Sequence, residues 1–277
     1  MDQIDAHQHY WQPLRGDYDW MPMDNAVLAR PWLPDDLAPE LERHGVARTV
    51  LVQAAATVQE TEYMLGIADA TDSVAGVVGW VDFENPGDLA HLRRLAQHPK
   101  FCGVRPMIQD IADVDWMLRE DVQWGFRALV DLDLTLDALG FTRHLDNFHT
   151  ILTRYRDMRV VIDHIMKPPI GDHPKGLAIW QDGMARLAHD TSACCKLSGL
   201  VTEANEGWSI DDLRPYAAHV LEVFGADRVM WGSDWPVCQL RATYDDWRAA
   251  AETLTADLDP AAKAQVFGGT AARFYRL

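Results

Sequence analysis

Apolar residues along the chain gather into eight short runs, most of them rich in β-branched residues. After each run comes a stretch in which apolar positions recur every three or four residues, the alternation expected of strands and crossover helices in a parallel sheet. The runs are QIDAHQ (3–8), RTVLVQA (48–54), VAGVVGWVDF (74–83), FCGVRPM (101–107), LDLTLDAL (132–139), MRVVIDHI (158–165), ACCKLSG (193–199) and DRVMWGS (227–233). Between them DDLAPELERHG, ETEYMLGIADA, DVDWMLREDVQWGFRAL, RHLDNFHTILTRYRD, GLAIWQDGMARLAHD and DDLRPYAAHVLEVFG read as helices. Several open on Asp, which accepts hydrogen bonds from the free amides of a first turn. Eight such units predict an α/β fold, a (β/α)8 barrel in one domain over residues 1–277. A doubly wound sheet fits less well, since no G-x-G-x-x-G or P-loop turn is present. No internal repeat or low-complexity linker marks a domain boundary.

Charge narrows the partners. Lys and Arg total 25 against 42 Asp and Glu, a net charge of −17, and that field repels a phosphate backbone. Nucleic acid is therefore an unexpected partner. No run of 18 apolar residues exists and the start MDQIDAHQHYW lacks an export signal, so no membrane partner is expected and a cytoplasmic location is. Cys102, Cys194, Cys195 and Cys238 show no metal or redox spacing and read as reduced thiols. The 11 tryptophans are unusual, and flat rings serve either a core or a small-molecule pocket.

In such a barrel the working groups stand at the C-terminal ends of the strands. Strand one ends in Asp5-Ala6-His7-Gln8-His9, where alternation points His7 and His9 the same way. Two converging imidazoles suit a cation, or a neutral hydrogen-bonded pair. Strand six brings His164, and strand eight ends in Asp234 just before Pro236. His7, His9, His164 and Asp234 together form a constellation that separate capping roles would not produce. Arg105, at the end of strand four, offers a charged fork for an oxyanion or a salt bridge to Asp110 or Asp113. Gln53 suits a sugar hydroxyl or a loop carbonyl. Lys196 interrupts an apolar strand, as a paired or substrate-facing ammonium would. Lys167 and Asp82 are weaker candidates, and His144 either reaches the mouth or starts a helix. Trp11, Trp32 and Trp235 fall in loops beside the constellation and are the pocket candidates. Trp116, Trp124, Trp180 and Trp247 fall in helical stretches and read as packing residues.

The motifs IDAHQHYW, VLARPWLPDDL, LVQA, VVGWVDF, KLSGLVTEA, WGSDWPVC and GGTAARFY, spread over residues 4–275, resemble the amidohydrolase superfamily (amidohydrolase 2 type) and, within it, the sugar-lactone hydrolases. The resemblance implies a distorted barrel that hydrolyses an aldono-lactone, such as L-fucono- or L-rhamnono-lactone, to its sugar acid. Asp234 would be the general base for water, and His7, His9 and His164 would polarise the carbonyl directly or through a bound ion. Arg105, Gln53, Trp32, Trp235, His144 and Lys196 would be the substrate-binding set. The two-metal members of the superfamily carry a bridging Lys or Glu on strand four and a His on strand five. Here those strands end GVRPM and LDAL, which argues against a binuclear centre. The expected cofactor is therefore none, or one divalent ion, zinc first, on His7, His9, His164 and Asp234. Other expectations stay open: a lactone of aromatic catabolism (pyrone dicarboxylate or muconolactone type), metal-dependent decarboxylation, or a non-catalytic sugar-binding barrel. The absence of a G-x-S-x-G elbow removes the serine-nucleophile route.

Overall fold

The computed structural model describes residues 2–172 and 176–277. Its eight strands are β1 Gln3–Gln8, β2 Val46–Val52, β3 Val74–Gly79, β4 Phe101–Val104, β5 Thr135–Ala138, β6 Arg159–Ile162, β7 Cys194–Leu197 and β8 Val229–Trp231. They lie in chain order and pair in parallel from β1 to β8. Among the described residues, loop residues beyond the last strand close the ring: His9 N donates to Trp235 O at 2.7 Å and Asp234 N to His7 O at 2.8 Å. Asp5 reinforces this seam by accepting from Ser233 N at 2.8 Å and His7 N at 3.2 Å, and burial pushes its carboxyl up to about 6.

Several strands are shorter than the apolar runs predict. β4 stops before Arg105-Pro106, and β6 stops where His164, Ile165, Met166 and Lys167 all turn left-handed. Both ends are backbone geometries a ladder cannot continue. The helix expected over 113–129 is broken: 3-10 turns at Trp116–Leu118 and Glu120–Val122 precede a helix at Gln123–Asp131, with Arg119 extended between the turns. A helix the pattern did not single out, Leu89–Leu95, crosses between β3 and β4.

One apolar layer lies between the strands and their helices, with Trp116, Trp180 and Trp247 buried in it. A second fills the barrel bore with Ile4, Ala6, Val50, Val52, Val78, Val161 and Met230. The closing helix Thr270–Tyr275 caps this inner layer with Ala271 and Tyr275. Among the described residues no helix is long and apolar enough to cross a membrane.

In β1 the register slips between Asp5, opposite Thr49, and Gln8, opposite Leu51. Three residues of β1 thus oppose two of β2, and an extra residue reverses the face that follows it. Ala6 faces the bore as part of the inner layer, and His7, the next residue, also reaches into it to meet Lys196.

Candidate active site

Four side chains meet above the bore. His7 Nε2 and His9 Nε2 lie 3.2 Å apart, and Asp234 Oδ1 stands 3.7 Å from His7 Nε2, 3.4 Å from His9 Nε2 and 3.8 Å from His164 Nε2. Asp234 sits left-handed at φ 57, a conformation Asp tolerates better than most residues, on the turn leading into a cis Trp235-Pro236 bond. The left-handed turn after β6 swings His164 inward. Its Nδ1 bonds Ser198 Oγ at 2.9 Å, and Gly199 leaves room for the ring.

The electrostatics keep charge on the carboxylate and off the rings. Burial lowers His9, and it holds His7 and His164 well below the ordinary imidazole value, helped by Lys196 behind His7 and by His7 beside His164. For Asp234, burial works against ionisation, but His164, His9 and the Lys167 ammonium hold its carboxyl below the usual range. At neutral pH the site is therefore an ionised carboxylate facing neutral imidazoles, a base ready for a water proton.

Above them opens a cavity of about 320 Å³ lined by His9, His164, Asp234, Arg105, Trp11 and Trp20, with Gln109, Asp110 and Lys167 among its rim residues. Arg105 is buried, and its Nη2 donates to Gln53 O while Gln53 Nε2 donates back to Arg105 O at 2.6 Å. Its ion pair is with Asp163, Nη1 to Oδ2 at 3.4 Å, rather than with Asp110 or Asp113 as the sequence suggested.

Not every expected substrate-binding residue reaches this cavity. Gln53 is buried as the clamp on Arg105, the loop-carbonyl alternative. Trp32 and Trp235 pack edge to face at 4.9 Å behind the wall, because the loop folds Trp32 Nε1 back onto Val27 O at 2.7 Å. His144 accepts from Phe141 N at 3.0 Å at the start of the helix Leu145–Arg154, and it lies outside the cavity lining. Lys196 is wholly buried below His7, its Nζ 2.5 Å from Asp137 Oδ2 and 2.9 Å from Asp163 Oδ1. It is the paired ammonium of the two readings. Asp82 caps a turn by accepting from Glu84 N at 2.8 Å.

Sequence reasoning passed over Asp163, Asp137 and Trp20. An Asp closing the run Val-Val-Ile-Asp was a readable signal for Asp163, as was the Asp inside LDLTLDAL for Asp137. Lys196 and His7 together hold the Asp163 carboxyl well below its usual range against the effect of burial. Trp20, 40% exposed, is fixed by Nε1 donating to Ala54 O at 2.6 Å and stands edge to face with Trp11. Nothing in its local sequence separated it from a surface tryptophan.

The donor set fits a divalent ion. Two imidazole nitrogens and one carboxylate oxygen are zinc ligands, and zinc–nitrogen bonds of about 2.0–2.1 Å in a tetrahedron separate the nitrogens by about 3.3 Å. The 3.2 Å between His7 Nε2 and His9 Nε2 matches that edge, and His7, His9 and Asp234 group closely enough to hold one ion. His164 groups instead with His7 and Asp163.

Residues 4–277 match the model of the Amidohydrolase family. The chain is 42% identical, over 99% of its length and 95% of the relative's, to an L-fucono-1,5-lactonase of Burkholderia ambifaria. It is 37% identical to an L-fucono-1,5-lactonase of Burkholderia multivorans, over 99% of this chain and 96% of that one. A crystal structure of an amidohydrolase from Burkholderia multivorans with bound zinc superposes with a TM-score of 0.94 at 36% identity, covering 100% of both chains.

Proposed function

This chain belongs to the amidohydrolase family, and on that premise we propose that it hydrolyses a sugar lactone to the open-chain sugar acid, with an L-fucono-1,5-lactone-like ring as the first substrate to test. The observation that carries the reading is the ionised Asp234 carboxylate beside the neutral His9 and His164 rings at the floor of a cavity of about 320 Å³, room for one sugar ring, with His7 buried just beneath. A lactone needs little more, because its carbonyl is reactive and its leaving group stays tethered.

Water held by Asp234 Oδ1 gives a proton to the carboxylate as its oxygen attacks the carbonyl carbon. The developing oxyanion is met by the Arg105 guanidinium and by an N–H of His7 or His164, fixed in place before the reaction, while His9 spends its N–H on the Val52 carbonyl. Collapse breaks the ring C–O bond, and the proton on Asp234 passes to the departing alkoxide oxygen. The new carboxylic acid then ionises and releases a proton to solvent. A divalent ion held by His7, His9 and Asp234 would polarise the same carbonyl when bound, an addition to the chemistry of these residues rather than a requirement.

The test is a pH-indicator assay over L-fucono-, L-rhamnono-, L-galactono-, D-galactono- and D-arabinono-lactones, with chelator or with added zinc. Turnover of a sugar lactone that survives chelation is expected. Silence on all five would overturn the reading, and activity lost to chelator and restored by zinc would make the ion essential. Trp20 supplies the exposed ring that a sugar face would stack on. Trp20→Ala is expected to raise KM about five- to tenfold with kcat held within about twofold, since roughly 1 kcal/mol of ring contact goes. Initial-rate kinetics on the best lactone check this.

A further inference from the structure

The sequence Thr57-Val58-Gln59-Glu60 has the T-x-x-E spacing of a capping box at the start of the helix Val58–Ala70, in which the Glu side chain returns to the amide of the Thr. Only half of that box forms. Thr57 Oγ1 accepts from Glu60 N at 3.0 Å, but Thr57 N donates to Ala55 O at 2.9 Å, and the Glu60 carboxyl reaches past it into the turn that follows β2. There Oε2 accepts from Ala55 N at 2.8 Å, and Ala54 N lies 3.0 Å from both Oε1 and Oε2. Glu60 is fully buried. We propose that Glu60 is a positioning residue that aims the Arg105 guanidinium and the Trp20 ring into the cavity through the two peptide planes it holds.

A trans peptide is planar, with its N–H and its C=O pointing opposite ways, and both peptide bonds of this turn are trans. The plane between Gln53 and Ala54 gives its N–H to Glu60, so its carbonyl, Gln53 O, faces away and accepts from Arg105 Nη2. The next plane repeats the pattern. Its N–H, on Ala55, goes to Glu60, and its carbonyl, Ala54 O, accepts from Trp20 Nε1 at 2.6 Å. One carboxyl thus holds the donor ends of two consecutive planes, and two cavity-lining side chains hang on the acceptor ends. Each carbonyl is also the better acceptor for having its N–H engaged, because hydrogen bonds in series polarise one another.

The other ties on Arg105 and Trp20 do less to aim them. Gln53 Nε2 fixes the Arg105 backbone rather than its guanidinium, and Asp163 Oδ2 takes Nη1 only at 3.4 Å. Asp17 Oδ2 accepts from Thr57 Oγ1 at 3.2 Å and so anchors the loop before Trp20, but the polar bond of the ring itself is the one to Ala54 O. Burial pushes the Glu60 carboxyl up to about 8, with the Ala55 and Ala54 amides acting the other way. The hold survives either state: with a proton on Oε1, Oε2 still accepts from both amides, at 2.8 and 3.0 Å. The kinetic consequence rests on the lactonase reading; the orientation of Trp20 rests on bonding alone.

The experiment labels tryptophan with ¹⁵N in the full-length protein and reads the Nε1–H signal of Trp20, assigned by its loss in Trp20→Phe. Glu60→Met fills the same space without an acceptor. In it the Trp20 signal is expected to leave its hydrogen-bonded position and exchange faster with solvent, while those of Trp180 and Trp247, bonded to Ile165 O and Gly232 O, stay in place. On the responsive lactone kcat is expected to fall about 5- to 50-fold as Arg105 loses its aim, and KM to rise about three- to tenfold as Trp20 does. Glu60→Gln keeps one acceptor oxygen and is expected to return the Trp20 signal, with kcat and KM within about threefold of wild type. An unmoved Trp20 signal in folded Glu60→Met would overturn the proposal, as would unchanged kcat and KM or a Glu60→Gln as impaired as Glu60→Met. Should Glu60→Met not fold, Glu60→Asp, whose carboxylate stops one methylene short, carries the test: a displaced Trp20 signal is expected, and a wild-type position overturns the proposal. If the wild type turns over no sugar lactone, the functional reading fails and the Trp20 signal alone decides the role of Glu60.

Discussion

Asp234→Asn is expected to lower kcat on the responsive sugar lactone by about 10²- to 10⁴-fold, the range a positioned general base contributes. The amide keeps the shape of the carboxylate and can still face His9 and His164, but it takes no proton from water. Asparagine is also among the few residues that tolerate the left-handed backbone at this position, φ 57. Melting temperature should therefore stay within a few degrees and KM within a few-fold. Steady-state kinetics beside a thermal melt check this, and retention of more than a tenth of wild-type kcat would move the base elsewhere.

A single methyl group behind the cavity wall should damage both the fold and the site. At Gly199, a Cβ would lie 2.7 Å from His164 Nδ1 and 2.8 Å from its Cβ and Cγ, and the backbone is left-handed at φ +70. The ring has nowhere to retreat, because His164 itself sits on the left-handed turn and is held by Ser198. Gly199→Ala is expected to cost about 1–3 kcal/mol of stability through overpacking, with a further strain term of about 1–2 kcal/mol for the backbone. It should also lower kcat more than about tenfold by displacing His164. Gly207→Ala separates the two causes: its backbone is equally left-handed at φ +76, but a Cβ there meets nothing within 4 Å. That variant should lose only the backbone part and keep full activity. Denaturant titrations and kinetics on both proteins give the comparison.

The barrel was legible because its strands are buried on both faces and therefore read as apolar runs. Their ends were less so. Val104 and Ile162 end strands for reasons of backbone conformation in Arg105-Pro106 and in the 164–167 turn, and a hydrophobicity pattern carries no record of those dihedral angles. The rim chemistry was legible for a related reason. A polar side chain that ends an apolar strand has to be met by something, and His7, His9, His164, Arg105 and Asp234 are indeed brought together. Lys196 was visible as an anomaly, but whether it faced substrate or lay below was set by Asp137 on β5 and Asp163 just past the end of β6. The tryptophans were the least readable. Trp32 lies behind the wall while Trp20 lines the cavity, a difference made by loop hydrogen bonds to Val27 and Ala54 that no local spacing encodes.

The ring of strands closes through backbone hydrogen bonds from His9 N to Trp235 O and from Asp234 N to His7 O, which join residues of the proposed catalytic group. Any motion that parts the first strand from the last pulls these groups from one another. Catalysis is thereby a gauge of barrel integrity: in mild urea, turnover should fade together with the exchange protection of the His9 and Asp234 amides, while far-ultraviolet circular dichroism still reports folded helices.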